Sequence, residues 1–579
     1  MGSGDNRNFS PPLPGYQTLA SLSLENGFSL LLLCLALYLG PALTLPLIRG
    51  EAMYALVPRE MLAAGKWNSF TLNGAPYLDK PALLYWLNLL AFKVLGVSDW
   101  AARLPTLAIA LGEIWGTFLV GGLLLSRRAA WLGGFVLLSS IGFFALHLQI
   151  LTDHLITLTL IFSLYSLLRW LNQPSRRWVL LFHLSLAAGF LSKGLIGLGF
   201  PLLIGLWFAW HLRQPRLLGF LFHPGGLALV ALLTLPWLVA MEWSYPGFWW
   251  YHFVHEHLVR FLGQRQPHGV STFSIPMFWL FLGIWLMPWT VLLPQALYRY
   301  LKATNSGQAG SAGRLLLIWA AVILGVFTLS STRLEYYSLP ALPPLALILG
   351  WRLDEFLKSP SPGRSIPAAL LLMALMGVGT LFLLGSLDHL LVGNRREFYH
   401  MFSLIMPLAH QCRPTLMFPT LTLLGAVAGW RRPRWAVACY AALALLLMLL
   451  TFWTLLAISP LFSDKNPGNY VRLHAGAGDL VVMESIEEFE NGASFAFYAG
   501  RPILMVQRQG LPRFCYPVEP QQNYLISPAR LKELWEGPKR LFLLVDDVSP
   551  LEPYLKNAQV AQAGAGKRLL VNDPLESRR

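Results

Sequence analysis

The sequence predicts an all-α polytopic membrane protein, with a small α/β domain after its last span. Three observations predict it. Of 579 residues, 55% are hydrophobic and only 13% are charged, and the mean hydropathy is +0.52. A soluble chain of that length needs more charge to cover its surface. The apolar residues fall in runs near the length of about 20 residues that crosses a bilayer. The formal net charge is +15, and its basic residues sit in short clusters between those runs. That is how membrane topology is encoded; a nucleic-acid surface would carry basic stripes interleaved with exposed aromatics. Membrane lipid is therefore the expected surrounding, and no nucleic-acid partner is expected.

Residues 1–27 are polar and carry Pro and Gly. They lead into an apolar run without a small-residue cleavage site, so a cytoplasmic segment and an uncleaved first span are expected. About thirteen spans follow within a membrane domain over 28–458. They are placed near 28–48, 105–125, 129–147, 153–171, 178–191, 195–212, 218–240, 275–297, 314–330, 337–354, 366–387, 413–430 and 435–458. Every second loop is short and basic. The clusters are Arg127-Arg128; Arg169, Arg176 and Arg177; Arg213 and Arg216; Arg299, Lys302 and Arg314; Arg352, Lys358 and Arg364; and Arg431, Arg432 and Arg434. Such alternation puts these loops in the cytoplasm and the C-terminus outside it. The 22 Trp and 19 Tyr suit interfacial belts.

The remaining loops differ. The first, 49–104, reads as two amphipathic surface helices, EAMYALVPREMLAAG and KPALLYWLNLLAFKVLG. The loop at 241–274 is rich in His and aromatics, and that at 388–411 is polar. The tail, 459–579, has β-like runs DLVVMESI, SFAFYAG, PILMVQ and RLFLLVDD and a helical PARLKELWEG. That is enough chain for a small α/β domain. Cys34, Cys412, Cys439 and Cys515 form no CxxC or zinc pattern. Cys412 and Cys515 both fall on the outer side, where a disulfide is one reading.

The ionisable residues of the outer face are the candidates for chemistry. Glu51 follows the first span, and Asp79-Lys80 lies in the first outer loop. Asp153 opens the fourth span in LTDHL, and Lys193 sits in the turn LSKG. His255, Glu256, His257 and Arg260 share one segment; Arg333, Glu335 and Tyr337 precede the tenth span. Taken singly, each has a bland explanation as a solvated charge, a snorkelling lysine or a helix cap. Taken together, carboxylates and cations on one face suit a reaction that releases an anionic leaving group while a carboxylate removes a proton.

At these residues the chain resembles a family. GEAMYALVPREMLAAGKW, LNGAPYLDKPALLYWLNLLAFKVLGVSDWAARLP, LTDHLITLTLIF, LSKGLIGLGFP, HEHLVRFL, STRLEYYSLPALPPLAL and SFAFYAGRPILMV stand in the order seen in bacterial polyprenyl-phosphate-sugar glycosyltransferases. These belong to the GT-C superfamily, include the lipid A aminoarabinose transferases and are related to protein O-mannosyltransferases. The resemblance implies a bacterial inner-membrane enzyme with an outer-face active site and inverting sugar transfer. The implied donor is a polyprenyl (undecaprenyl) phosphate-linked sugar. The implied acceptor is lipid A, another glycolipid or glycan, or a protein.

Carried over by position, Glu51 and Asp153 resemble the carboxylates near the reacting centre. Lys80, Lys193, Arg260 and Arg333, with Tyr337, resemble the groups that hold the donor phosphate. Asp79 and His257 resemble a carboxylate/imidazole pair for a divalent ion such as zinc, magnesium or manganese. The chain departs from the family in having Gly50 before Glu51, where an aspartate is frequent, and Met53, where a basic residue is frequent. The base is then Glu51 or Asp153, or the acceptor needs little help. The competing class is a multi-pass lipid or sugar transporter. That class usually shows repeated halves and mid-membrane charges, and this chain shows neither.

Overall fold

A computed structural model describes residues 24–262, 272–306, 310–359, 364–375, 414–484, 492–506, 524–546, 551 and 555–572. The first span, α1, is Leu24–Thr44; Pro46 stops it from running on. Two outer helices follow, α2 at Arg49–Ala64 and α3 at Leu83–Leu95, with a short antiparallel pair, β1 (Thr71–Leu72) and β2 (Ala75–Pro76), between them. The bundle continues with α4 (Asp99–Leu124), α5 (Arg127–Leu138), α6 (Ile141–His147), α7 (Thr152–Asn172), α8 (Arg176–Lys193) and α9 (Leu195–Leu212). Then come α10 (Arg216–Leu221), α11 (Pro224–Ser244), a π-helical segment at Trp250–Val259, α12 (Ile275–Trp285), α13 (Leu293–Asn305), α14 (Gly310–Leu329) and α15 (Leu342–Lys358). The last spans are α16 (Pro414–Arg431) and α17 (Pro433–Phe462).

Seven of these helices are long and apolar enough to cross a membrane, or nine if α5–α6 and α12–α13 each count as one bent span. The expected thirteen are thus only partly met. The fifth and tenth expected spans, α8 and α15, are helices but carry charge at their ends. Both are largely enclosed by neighbours, with α15 lying along α5. A helix wrapped in protein does not need an apolar surface all round. The eleventh, near 366–387, is helical over Ser365–Leu375 and then leaves the described residues. The α5–α6 bend is 57°. At it Ser139 and Ser140 turn their hydroxyls back onto the carbonyls of Phe135 and Val136, a local bond that loosens a helix.

Three of the basic clusters come together. Asp354, before the loop that follows α15, accepts from Ser126 at 2.6 Å and pairs with Arg128 at 3.6 Å, while Arg299 reaches Glu355 at 3.0 Å. Large apolar side chains such as Leu232 and Trp243 remain 69% and 85% exposed, as lipid-facing residues do.

The C-terminal domain carries α18 (Lys465–His474), α19 (Ala493–Ala499) and α20 (Pro528–Trp535) around a six-stranded sheet. Its strands are β3 (Leu480–Glu484), β4 (Leu504–Val506), β5 (Leu525–Ile526), β6 (Leu541–Asp546), β7 (Gln559–Gly564) and β8 (Lys567–Val571), ordered β5-β4-β3-β6-β8-β7. The four strands from β5 to β6 are parallel, and β8 joins antiparallel. SFAFYAG, expected as a strand, is instead the helix α19, capped by Gly500 at φ 79°. A short apolar run cannot tell a buried helix from a buried strand. All seven residues of α19 are buried, and they pack against α2. Cys412 and Cys515 lie outside the described residues.

The domain is fastened to the outer helices. Val481, Met483, Phe542 and Leu544 share one apolar core with Ala52, Tyr54, Tyr77 and Tyr85, while Val482, Leu541 and Leu543 face a second core under α20. Alternate residues of a strand point to opposite faces, so one sheet serves both. Asn73 and Ile503 exchange two hydrogen bonds of 2.8 Å, Tyr498 accepts from the Leu47 amide at 2.7 Å, and Lys567 pairs with buried Asp464 at 2.7 Å. Asn73→Ala leaves the Ile503 amide and carbonyl without partners and is expected to weaken docking by about 2 kcal/mol. Limited proteolysis checks this: cleavage within 459–579 should begin at protease levels that spare the parent. Unchanged resistance would show that the apolar face alone holds the domain.

Candidate active site

Opposite the basic clusters, the helix ends meet the 49–104 segment around two buried carboxylates. Glu51 lies in the first turn of α2 and is 1% exposed. One of its oxygens accepts from the Ile48 amide at 3.0 Å and from Arg103, and the other from the Ile150 amide at 3.0 Å. Arg103, on α4, spends its remaining donors on the carbonyls of Leu45, Pro46 (2.7 Å) and Leu148 (3.0 Å). Burial pushes the Glu51 pKa up; Arg103 and the two amides pull it back toward the charged form. The carboxylate is thus saturated with donors and ties α1, α2 and the 148–150 segment together.

Asp153 begins α7 three residues beyond that segment and is 3% exposed. Its Oδ1 accepts from Lys193 Nζ at 2.6 Å. Lys193 closes α8, and its ammonium lies 4.4 Å from the centre of the Tyr337 ring, within cation–π range. Tyr337 sits in the 3₁₀ turn Glu335–Ala341, braced by Phe327 at 4.7 Å. Lys193 is brought there by Gly194, whose φ of 63° suits a residue without a side chain. A Cβ on Gly194 would fall 2.5 Å from the His257 ring, so the close approach also requires glycine.

His257 packs on this turn. Its Nδ1 donates to the His252 carbonyl at 2.6 Å, and its Nε2 accepts from the Leu195 amide at 3.1 Å. Burial lowers the pKa of His257, and it lowers that of His252 to about 3, so both rings are neutral. Asp79 accepts the Tyr251 hydroxyl, and Lys80 reaches back to the Asp79 carbonyl at 3.4 Å. One Asp79 oxygen and both His257 nitrogens thus have hydrogen-bond partners in this conformation. Glu256 accepts from Arg260 at 2.9 Å and faces His255 at 3.3 Å. Arg333 donates to the carbonyls of Phe273 (2.9 Å), Thr328 (3.4 Å) and Ser330, which fixes the approach to the Tyr337 turn.

Tyr54 and Glu335 lie near Asp153 and Arg103 lies beside Glu51; of these, the sequence singles out only Glu335. Tyr54 is buried one turn after Glu51. Burial raises its pKa, and so do Asp153, Tyr337 and Asp79, against a hydrogen bond with Thr152. Its position three residues after Glu51 on one helix face was the available signal. Glu335 is a second carboxylate whose pKa is raised by burial and then by Asp153. Arg103 gave no signal, since its partners, the Glu51 side chain and three carbonyls, are all distant in sequence. A group with the spacing of metal ligands does exist among the described residues, formed by Glu113, His147 and His154.

The pattern of the dolichyl-phosphate-mannose-protein mannosyltransferases matches residues 79–239. That stretch carries Asp79, Lys80, Asp153 and Lys193. The undecaprenyl phosphate-alpha-4-amino-4-deoxy-L-arabinose arabinosyl transferase of Pseudomonas aeruginosa (strain UCBPP-PA14) is 30% identical over 475 residues, 78% of this chain and 80% of that protein. The chain belongs to the aminoarabinose arabinosyl transferase family. Family members in Erwinia tasmaniensis and Aeromonas salmonicida are 31% and 32% identical over 52% and 53% of this chain. The chain spans about half the length of those two, 54% and 56%. The crystal structure of ArnT from Cupriavidus metallidurans bound to undecaprenyl phosphate superposes with a TM-score of 0.76 at 19% identity, covering 96% of this chain and 99% of that one. This transferase family member therefore shares the ArnT fold, C-terminal sheet domain included.

Two outcomes are expected. Arg103→Met strands a buried carboxylate and should cost about 3–5 kcal/mol, whereas adding Glu51→Gln should recover part of that loss; thermal unfolding in detergent checks the pair, and simple additivity would refute the coupling. The second concerns pH. His252 and His257 hold depressed pKa values when folded, so below about pH 6.5 the unfolded chain binds protons the folded chain does not. Stability should fall as pH drops below that point, and His252→Phe should flatten the slope.

Proposed function

We propose that the chain transfers a sugar, with inversion, from a polyprenyl (undecaprenyl) phosphate-linked donor to an acceptor such as lipid A or another glycan or glycolipid. The reaction is placed at the outer face of a bacterial inner membrane, the side opposite the basic loops. The observation that carries this reading is the placement of Lys193 between the Asp153 carboxylate and the Tyr337 ring. A base and a mobile cation share one buried spot.

In the reading, the donor phosphate draws the Lys193 ammonium away from Asp153. That frees Oδ1 to accept the proton of the acceptor hydroxyl. The hydroxyl oxygen bonds to the anomeric carbon as the bond to the phosphate oxygen breaks, and the electron pair leaves on the phosphate. Lys193 then faces a growing negative charge, where a preset cation contributes most. Lys80, whose charge is felt at His252 and His257, is read as adding positive charge there, and Arg260 is read with it.

Glu51 is read as a positioning residue because both its oxygens are occupied, which supports Asp153 as the base. Arg333 is read as holding the Tyr337 turn. A divalent ion at Asp79 and His257 would need His257 to give up its backbone bonds, and no step here is routed through one. Family relatives named for aminoarabinose transfer support that sugar as the first donor to assay.

Purified protein with an undecaprenyl phosphate-linked sugar and lipid A provides the test. Asp153→Asn is expected to lower turnover by about 10²–10⁴-fold while donor binding persists. Parent-level transfer by that variant would overturn the assignment, and parent protein that moves lipid without transferring sugar would favour a transporter.

A further inference from the structure

We propose that Glu113, His147 and His154 bind a divalent transition metal inside the bundle, behind the reacting carboxylate. Glu113 comes from the middle of α4, His147 ends α6, and His154 is the third residue of α7. All three are at most 2% exposed. One ligand atom from each lies within 4.8 Å of the other two.

The hydrogen bonds around the rings decide which nitrogens are free to coordinate. His147 Nδ1 lies 2.8 Å from the Phe143 carbonyl, which can only accept, so Nδ1 carries the proton. Its Nε2 lone pair then faces Glu113 Oε1 at 3.2 Å. His154 Nε2 lies 3.0 Å from the Leu146 carbonyl and 3.2 Å from that of Gln149, so it too is the protonated nitrogen. That leaves His154 Nδ1 as a buried lone pair without a hydrogen-bond partner, and Glu113 Oε2 is in the same condition.

With Glu113 ionised and both rings neutral, the atoms that converge are all acceptors. Buried acceptors left this way are costly, whereas one cation satisfies all of them. Imidazoles whose far N–H is held by a backbone carbonyl are in the arrangement that orients a metal-binding histidine. Ligands around a tetrahedral ion with bonds of ~2.0–2.1 Å stand ~3.4 Å apart, near the His147–Glu113 spacing. Two nitrogens and one oxygen suit zinc or a similar borderline ion; magnesium and calcium favour oxygen alone.

The site has a clear consequence for its surroundings. His154 follows Asp153 directly, and the segment between His147 and His154 supplies the Ile150 amide that holds Glu51. An ion there clamps α4, α6 and α7 at the point where the reacting carboxylate is displayed. The three ligands are positioning residues, and the metal takes no part in bond exchange.

The experiment uses untagged full-length protein in detergent, purified without chelator and dialysed against zinc. Elemental analysis is expected to give about one tightly held ion per chain. X-ray absorption on the same sample should show nitrogen and oxygen ligands at ~2.0–2.1 Å with two imidazoles. His154→Leu and Glu113→Gln should lose the ion, and Asp79→Asn should retain it. Zinc should raise the unfolding temperature of the parent and leave that of His154→Leu unmoved. Absence of bound metal in the parent, an ion lost with Asp79→Asn but kept in His154→Leu, or a spectrum without imidazole overturns the proposal. The spectrum is read on parent protein, so it stands even where a variant fails to fold.

Discussion

The geometry of the outer face hangs on one buried ion pair, Arg103 with Glu51. A guanidinium 2% exposed would be ruinous alone, since removing a charge from water costs several kcal/mol. Here every nitrogen has an acceptor, and the acceptors belong to three different pieces of chain: the exit of α1, the start of α2 and the segment after α6. Glu51 answers with two backbone amides of its own. The pair therefore works as a junction. It fixes where the first outer helix leaves the bundle, and so where Tyr54 points. It also fixes the backbone immediately before Asp153.

Asp153 and Lys193 depend on that junction but are built differently. Each uses little of its bonding capacity on backbone; each mostly has the other. A saturated carboxylate such as Glu51 holds a shape, whereas a carboxylate with one movable partner can exchange it. The aromatic wall of Tyr336 and Tyr337 gives the ammonium a second resting place that is not an anion. The sharp Gly194 turn and the neutral His257 ring set the height of the lysine.

Much of this was legible in the chain. Asp153, Lys193 and Tyr337 were singled out from their places at helix mouths, and they meet. The basic loops were legible as one set, and Asp354 with Arg128 and Ser126 shows that two of them touch. What stayed hidden has a common physical cause. Arg103 acts through Glu51 and through three carbonyls, all far from it in sequence, and carbonyls, which any residue supplies, leave no trace in side-chain types. SFAFYAG has no periodicity because it is buried on every side. Of the expected spans, seven to nine are met by long apolar helices among the described residues, and α8 and α15 are helices whose charged ends are sheltered by protein. Glu51 was legible at the exit of the first span, but its two backbone amides and its arginine were not.

The fastening of the sheet domain to the outer helices has a consequence for how the protein is made. The Leu47 amide is capped by Tyr498, 451 residues later, and Asn73 waits for Ile503, 430 residues later. Chains are synthesised from the N-terminus, and contacts so distant form last. The helix that carries Glu51 and Tyr54 therefore leaves the ribosome with one apolar flank uncovered, and it receives its cover only once the sheet domain has been made and has docked. A product stalled before the sheet domain would retain Glu51, Asp153, Lys193 and Tyr337, yet lack the surface against which the helix of Glu51 packs.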